Sequence, residues 1–297
     1  MAKLKNDQIG PPELIEFLDT SSDFGFELRC LERLGQLGFH CQHGGSYVDR
    51  VTHKTRQFDI RAHKDDGADT LRIRCAIECK NLAGSFPLLI MCVPRSEEES
   101  FHELVLSFDP DLGKRRSQFE VPAFRENCQC IRVAHPMSDY TKGTSCGKSS
   151  VQVGKAQDNS ITANDAEVFE KWSQALASAH DLADEAAEEG ERHKSLFISL
   201  VLPILVVPDG TLWKVDYSEN GNRSGDPVRV DRCSFFIGRD YSAGDRLRGG
   251  SLTISHLEFV TISGLEHLTG GILGPGGSWF PSLDALGKLA SQQQLHR

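Results

Sequence analysis

The alternation of apolar and polar residues is most regular between Ser46 and Leu82. In its last part the apolar residues Leu71, Ile73, Cys75, Ile77 and Cys79 alternate with Arg72, Arg74, Ala76, Glu78 and Lys80. Earlier, Phe58, Ile60 and Ala62 alternate with Gln57, Asp59 and Arg61. Side chains of a strand point in turn to its two faces. The stretch therefore predicts three short strands, with Asp59, Glu78 and Lys80 on exposed polar faces of neighbouring strands.

A helical pattern precedes these strands. In FELRCLERLGQLGF, residues 26–39, Glu27 and two leucines recur at i, i+4 and i+7, which indicates a helix that ends at a glycine. After the strands, the continuous apolar run FPLLIMCV, residues 86–93, predicts the next strand of the same core. Residues 94–127 are mostly polar and predict an excursion from that core.

The second half of the chain predicts one long helix followed by strands. Asn164 or Asp165 is expected to cap the helix. Its expected buried stripe comprises Phe169, Trp172, Leu176 and Ala179. The apolar run LFISLVLPILVV and the following TLWKVDY are expected to pair as a hairpin through the turn Pro208-Asp209-Gly210.

These patterns divide the chain into three parts. Residues 13–160 are the expected core, an α/β fold. Residues 161–269 are expected to form the long helix and a β-rich extension, packed on the same body. Residues 270–297 are a glycine-rich segment and a short tail. A chain of 297 residues is long enough for one large core or two ordinary ones.

The composition is that of a globular protein, with 39% hydrophobic and 25% charged residues. The longest apolar run has twelve residues, from Leu196 to Val207, whereas a membrane span needs about twenty. The start MAKLKNDQIGPPEL has no apolar segment typical of a signal peptide. Nine cysteines without regular spacing favour reduced thiols. We therefore expect a cytoplasmic protein with no membrane partner.

Charge is distributed unevenly along the chain. The net charge of −9 argues against general affinity for nucleic acid. Residues 48–64, however, carry an excess of cations, namely Arg50, Lys54, Arg56, Arg61 and Lys64. Residues 181–191 carry six acids and no cation. The pattern predicts a basic edge beside Asp59, with the acidic residues gathered elsewhere.

Two acids and a lysine on neighbouring strands form a candidate metal site. Mg²⁺ prefers oxygen ligands and is often held by one or two carboxylates together with water and substrate phosphate. The competing interpretation is a solvated polar face, because an acid and a lysine two residues apart on a strand are common at protein surfaces. That interpretation leaves unexplained why Asp59 and Glu78 lie on neighbouring strands with a helix before them.

Asp59, an interval of eighteen residues and then Glu78-Cys79-Lys80 resemble the signature of the PD-(D/E)XK nucleases. The flanking RQFDI and AIECKN are similar to the second and third core strands of Mrr-like members, and the helix with Glu27 resembles the first core helix of the family. Phe58 stands where the signature has proline. The resemblance implies an α/β restriction endonuclease-like core, in which helices flank a mixed central sheet.

The resemblance also implies an activity. Mg²⁺ or Mn²⁺ would be bound by Asp59, Glu78 and the backbone carbonyl of Cys79, with Glu27 as an extra ligand. Lys80 would point into the same space, beside the attacking water or the phosphate. The residues expected to contact DNA are Arg50, Lys54, Arg56 and Arg61. The expected protein is a DNA nuclease of restriction, defence or repair, and a homodimer is compatible with this function. The alternative is a catalytically silent module of the same fold that binds DNA or a protein.

Overall fold

The computed structural model describes residues 7–49, 51–67, 70–109, 111, 128–242, 251–270, 272–273 and 277–294. The helices are α1 (Pro11–Thr20), α2 (Phe24–Gln36), α3 (Ala166–His193), α4 (Ile262–Thr269) and α5 (Leu283–Gln294). The first eight strands are β1 (His40–His43), β2 (Ser46–Val48), β3 (Thr55–Gln57), β4 (Ile60–Asp65), β5 (Leu71–Cys79), β6 (Leu88–Pro94), β7 (Phe101–Phe108) and β8 (Cys128–Ala134). The later strands are β9 (Ser145–Lys155), β10 (Ile161–Asn164), β11 (Leu196–Val207), β12 (Leu212–Tyr217), β13 (Arg223–Arg229), β14 (Arg232–Ser242) and β15 (Ser251–Thr261).

The fold is mixed α/β, with one large mixed sheet flanked by helices. Thirteen of the described strands form this sheet, whose main path runs β1-β4-β5-β11-β15-β14-β9-β6-β12-β13. Strands β7 and β8 branch from β11, and β10 branches from β9. Strands β2 and β3 form a separate antiparallel ribbon. The strands of residues 196–261 thus belong to the same sheet as β4 and β5.

The centre of the sheet is the parallel pair β5 and β11. Their register runs from Leu71 opposite Ile198 to Cys79 opposite Val206. Parallel neighbours need a long connection, which usually contains a helix. Helix α3 is the last element of this connection and leads directly into β11. On the other edge of β5, β4 pairs with it antiparallel.

Helices cover both faces of β5. On one face Phe26 and Leu34 of α2 pack with Ile73 and Ile77, together with residues of α4 and α5. On the other face α3 packs against Ala76. A strand covered on both faces carries apolar side chains, or polar side chains that have partners, along its whole length. This corrects the expectation of an exposed polar face, because α3 buries the side chains that the alternating pattern assigned to solvent.

Strand β6, which covers most of the run 86–93, belongs to the same sheet and pairs with β9 and β12. Two further expectations about the fold are wrong. Strands β11 and β12 do not pair as a hairpin, although Gly210 turns the chain between them with φ +79°. Residues 101–108, expected in an excursion, form β7 and pair with β11.

The long helix begins near the expected cap. The side chain of Asn164 accepts a hydrogen bond from the backbone N–H of Ala166 at 3.1 Å. Leu176 and Ala179 of the expected stripe are buried, but Phe169 is exposed and packs edge-on against Trp172. No helix in the described ranges is long and apolar enough to cross a membrane.

Candidate active site

Asp59 and Glu78 meet where β4 begins and β5 ends. Ile60 lies opposite Ile77 in the antiparallel register, which brings the residue before one beside the residue after the other. Asp59 lies in the bend that enters β4. Its Oδ2 accepts a hydrogen bond of 2.8 Å from the backbone N–H of Cys79, so the end of β5 fixes the carboxylate directly.

Lys171 of α3 joins the two acids. Its Nζ lies 2.7 Å from Oδ2 of Asp59 and 3.5 Å from Oε2 of Glu78. The two carboxylate oxygens are therefore no further apart than the sum of these distances. The sequence did not single out Lys171. Its signal is its position on the amphipathic helix, one turn after Glu167 and beside the apolar stripe.

Glu78 is the most unusual of these groups. The residue is fully buried, and neither carboxyl oxygen has a hydrogen-bond partner of good geometry. Burial, and next the negative charge of Asp59, raise the pKa of Glu78 to about 9, although Lys171 acts in the opposite direction. Burial lowers the pKa of Lys171, but the charges of Asp59 and Glu78 outweigh it and raise that pKa above its usual value. The site thus contains a buried acid whose hydrogen-bonding capacity is unused.

Lys80 takes a different partner from the one expected. Its Nζ lies 3.4 Å from Oδ2 of Asp23 and 3.1 Å from Oε2 of Glu167. The other oxygen of Asp23 accepts a hydrogen bond from the backbone N–H of Asn81 at 2.8 Å. Asp23 directly precedes α2, and it ties this helix to the end of β5.

Glu27, the expected extra ligand, is joined to His43. Its Oε2 lies 3.0 Å from Nε2 of His43, and its side chain is 15% exposed. The residue is partly buried as expected, but it lies on α2, the helix that covers the face of β5 opposite α3. The contact made by Glu27 therefore connects α2 to β1 instead of joining Asp59 and Glu78.

A cleft of about 570 Å³ opens beside Asp59. Its lining comprises Thr55, Arg56, Gln57, Asp59, Lys80, Glu167, Glu170, Lys171 and Gln174. The ribbon of β2 and β3 forms one wall and the first turns of α3 form the other. The hydroxyl of Tyr47 donates to the carbonyl of Gln174 at 3.2 Å and fastens the ribbon to the helix.

The four residues expected to contact DNA differ in where the structure places them. Arg56 lines the cleft, and its Nε donates to Oδ2 of Asp49 at 2.6 Å. Burial opposes ionisation of Asp49, but hydrogen bonds from Thr52, Val51 and Arg56 outweigh it and lower its pKa to about 2. Lys54 is exposed beside the turn of the ribbon. Arg50 lies outside the described residues.

Arg61 is not part of the cleft, which corrects its expected role in DNA binding. It is only 9% exposed, and its guanidinium donates to Asp181 at 2.9 Å and to Glu185 at 3.2 Å. It also lies over the ring of Phe58. Its guanidinium is engaged by acids of α3, and the cavity that Arg61 lines includes neither Asp59 nor Lys80.

Arg61 belongs to a second charged cluster, which we call the arginine cluster. Its members are Arg61, Arg72 and Arg74 on the sheet and Asp181, Glu185 and Glu189 on α3. Glu189 pairs with both Arg72 and Arg74. The acidic segment at 181–191 was interpreted as lacking a balancing cation. That interpretation is wrong because the arginines come from strands more than one hundred residues earlier.

The residues present fit a divalent cation in part. Carboxylate oxygens are the ligands that Mg²⁺ and Mn²⁺ prefer, and Mg²⁺ commonly takes one or two of them and keeps several waters. Asp59 and the unpartnered Glu78 supply two, and the carbonyl of Cys79 belongs to the next residue along β5. Among the residues that the structure describes, no group of three or more His, Cys, Asp or Glu side chains is arranged to hold a metal ion. A cation here would depend on the pair, on backbone and on water.

Comparison with known proteins adds no assignment. No protein-family model matches the chain, and no curated protein or solved structure matches it significantly.

Proposed function

We propose that this protein is a divalent-metal-dependent DNA nuclease with a restriction endonuclease-like core. The observation that carries the proposal is the fully buried carboxyl of Glu78, whose oxygens have no hydrogen-bond partner, next to Asp59, which lines a cleft with three cations. A buried polar group without a partner is costly. Such costs are concentrated at functional sites. The succession of helix, antiparallel strands and acid-bearing strand agrees with the PD-(D/E)XK resemblance.

The proposal assigns roles to residues in and beside the cleft. Asp59, Glu78 and the carbonyl of Cys79 would hold Mg²⁺ or Mn²⁺. When bound, the ion would polarise a phosphoryl oxygen and lower the pKa of water. Lys80 would offset negative charge that develops on the phosphate during hydrolysis. Arg56, oriented by Asp49, would bind a backbone phosphate at the ribbon wall. Asp23 and Glu167 would keep Lys80 in position until substrate arrives.

The direct test is cleavage of supercoiled plasmid with Mg²⁺ or Mn²⁺. Wild type is expected to nick or linearise the plasmid, whereas Asp59→Asn and Lys80→Ala are expected to be inactive. Lys142→Ala, which removes an exposed lysine outside the cleft, is the matched control and should cut like wild type. Equal cleavage by wild type and Asp59→Asn would identify a contaminating nuclease and reject this site.

One observation favours a second function, a silent module that binds DNA or a protein without cutting. Lys80 and Lys171 are both paired with acids of the same site, and a permanently paired site would not recruit a metal. This alternative predicts binding of DNA without cleavage under every metal condition, and no change in binding for Asp59→Asn. The plasmid assay and a binding titration with the same variants separate the two functions.

A further inference from the structure

We infer that Lys171 is a built-in competitor for the divalent ion: it occupies the position between Asp59 and Glu78 and must leave when metal binds. The inference rests on the proposed metal site and adds a residue and an order of events to it. Lys171 would then become a phosphate-binding group of the loaded site.

The geometry of the pair supports this competition. A single ammonium lies within 3.5 Å of oxygens from both acids, which is the position that a bridging cation requires. The ammonium supplies one positive charge where a divalent ion would supply two. Because like charges a few ångströms apart repel strongly in a partly buried site, Lys171 and the metal cannot both remain there.

The cleft offers a second position for the ammonium of Lys171. Lys171 is 19% exposed and lines the cleft as well as the acid pair. A lysine ends in a flexible four-carbon stem, so its ammonium can turn towards the cleft while the helix backbone stays in place. Leaving the acids would add a cation to the wall where the phosphate is proposed to bind.

The arrangement also predicts the order in which metal and DNA bind. Without metal, the charge of Lys171 offsets that of Asp59 beside the carboxyl of Glu78. With metal, that function passes to the ion, and the charge of the lysine becomes available to the substrate. The cleft would therefore gain affinity for DNA only after the metal has bound, which sets the order metal first and DNA second.

The test measures metal binding in the absence of DNA. Mn²⁺ is titrated by calorimetry into wild type, Lys171→Met and Lys142→Met at constant pH. Lys171→Met keeps the length of the side chain and removes its charge, and we expect it to bind Mn²⁺ about tenfold more tightly than wild type. Lys142→Met, at an exposed lysine paired with Glu97, should bind like wild type. Asp59→Asn combined with Lys171→Met should lose the binding.

The outcomes separate the two proposals. If wild type and Lys171→Met both fail to bind Mn²⁺, the metal site itself is rejected, and the inference with it. If wild type binds and Lys171→Met binds no more tightly, the inference alone is rejected.

A second measurement needs no variant and so does not depend on its folding. Wild type is treated with an amine-reactive reagent, with and without Mn²⁺, and modification of individual lysines is followed by mass spectrometry. Release from the acids should increase the modification rate of Lys171 severalfold on addition of metal, while the rate at Lys142 stays constant. An unchanged or slower rate at Lys171 in a protein that binds Mn²⁺ would overturn the inference.

Discussion

The two ends of the interface between α3 and the sheet carry charges in opposite arrangements. Near the start of α3, the sheet contributes acids and the helix contributes Lys171. Near its end, the sheet contributes Arg72 and Arg74, and the helix contributes Glu189. The arginine cluster matches three guanidinium groups to three acids. At the other end neither oxygen of Glu78 has a hydrogen-bond partner, and the contact of Oε2 with Lys171 is a 3.5 Å ion pair.

The difference separates structure from chemistry. Ions buried between a helix and a sheet are tolerated when each has its partners, and the arginine cluster meets that condition with few exceptions. The end with Glu78 does not, and it opens into a cleft. Helix α3 thus has a docking end, at the arginine cluster, where charged groups pair with one another. It also has a candidate reactive end, where Glu78 has no hydrogen-bond partner.

The largest expected effect comes from breaking the docking end. Glu189→Ala removes the acid that pairs with the buried Arg74 and the partly buried Arg72, and removing one member of a buried ion pair costs about 3–5 kcal/mol. Denaturant unfolding measures the loss. Glu188→Ala removes the acid of an exposed pair with Arg192 on the same helix turn and should cost about 1 kcal/mol or less. Similar losses for both variants would show that the arginine cluster is not the stronger anchor.

The next effect is metal-dependent stability at the reactive end. Ligand at about one hundred times its dissociation constant stabilises a folded protein by about 2.7 kcal/mol. We therefore expect Mn²⁺ to raise the midpoint of thermal unfolding of wild type and to leave that of Asp59→Asn unchanged. Glu185→Gln, in the arginine cluster, should respond to Mn²⁺ like wild type. A metal response retained in Asp59→Asn would place the metal elsewhere.

The third effect is a pH dependence that belongs to Glu78. Its pKa of about 9 in the folded protein lies above the usual 4.5 of a glutamic acid, so the folded protein holds an extra proton between these pH values. Stability is therefore greatest below the lower value and falls as pH rises, by about 1.4 kcal/mol per pH unit for one proton. Glu78→Gln should remove this slope in metal-free protein and be more stable than wild type at pH 8. Urea unfolding at pH 6, 7 and 8 measures it, and equal slopes would place the protonation at another group.

The smallest effect concerns DNA at the ribbon wall. Each phosphate contact contributes about one unit to the slope of log affinity against log salt. Lys54→Gln with Arg56→Gln should reduce the slope by about two and weaken all DNA sequences alike. Arg61 was expected on the same surface, but its burial now predicts that Arg61→Gln keeps the slope and loses stability instead. A reduced slope for Arg61→Gln would restore it to the DNA surface.

The local pattern in the sequence located part of this arrangement. The positions of α2, β4 and β5 follow from spacing alone, because amphipathic elements show their period in sequence. The proximity of Asp59 to Glu78 follows from two neighbouring strands. The nuclease function remains a prediction.

What the sequence did not reveal came from long separations. Lys171 reaches Asp59 across 112 positions, and Arg61 reaches Glu185 across 124. The period of a strand shows which of its side chains share a face, but it does not show which distant helix covers that face. For the same reason the alternating pattern assigned one face of β5 to solvent. Partners for the acids of α3 were present in the sequence, but they lay far from those acids along the chain.

The burial of Glu78 also gives the folding reaction a proton balance. In the unfolded chain this carboxyl has an ordinary pKa and is ionised at neutral pH, whereas its pKa of about 9 in the folded protein means that it is protonated there. The face of β5 that bears it is closed by α3, which is made almost ninety residues after Glu78 along the chain. Docking of α3 at pH 7 should therefore draw a proton from solution. A pH-sensitive dye in weak buffer would report the moment when the helix closes over the sheet, as a signal separate from the appearance of secondary structure.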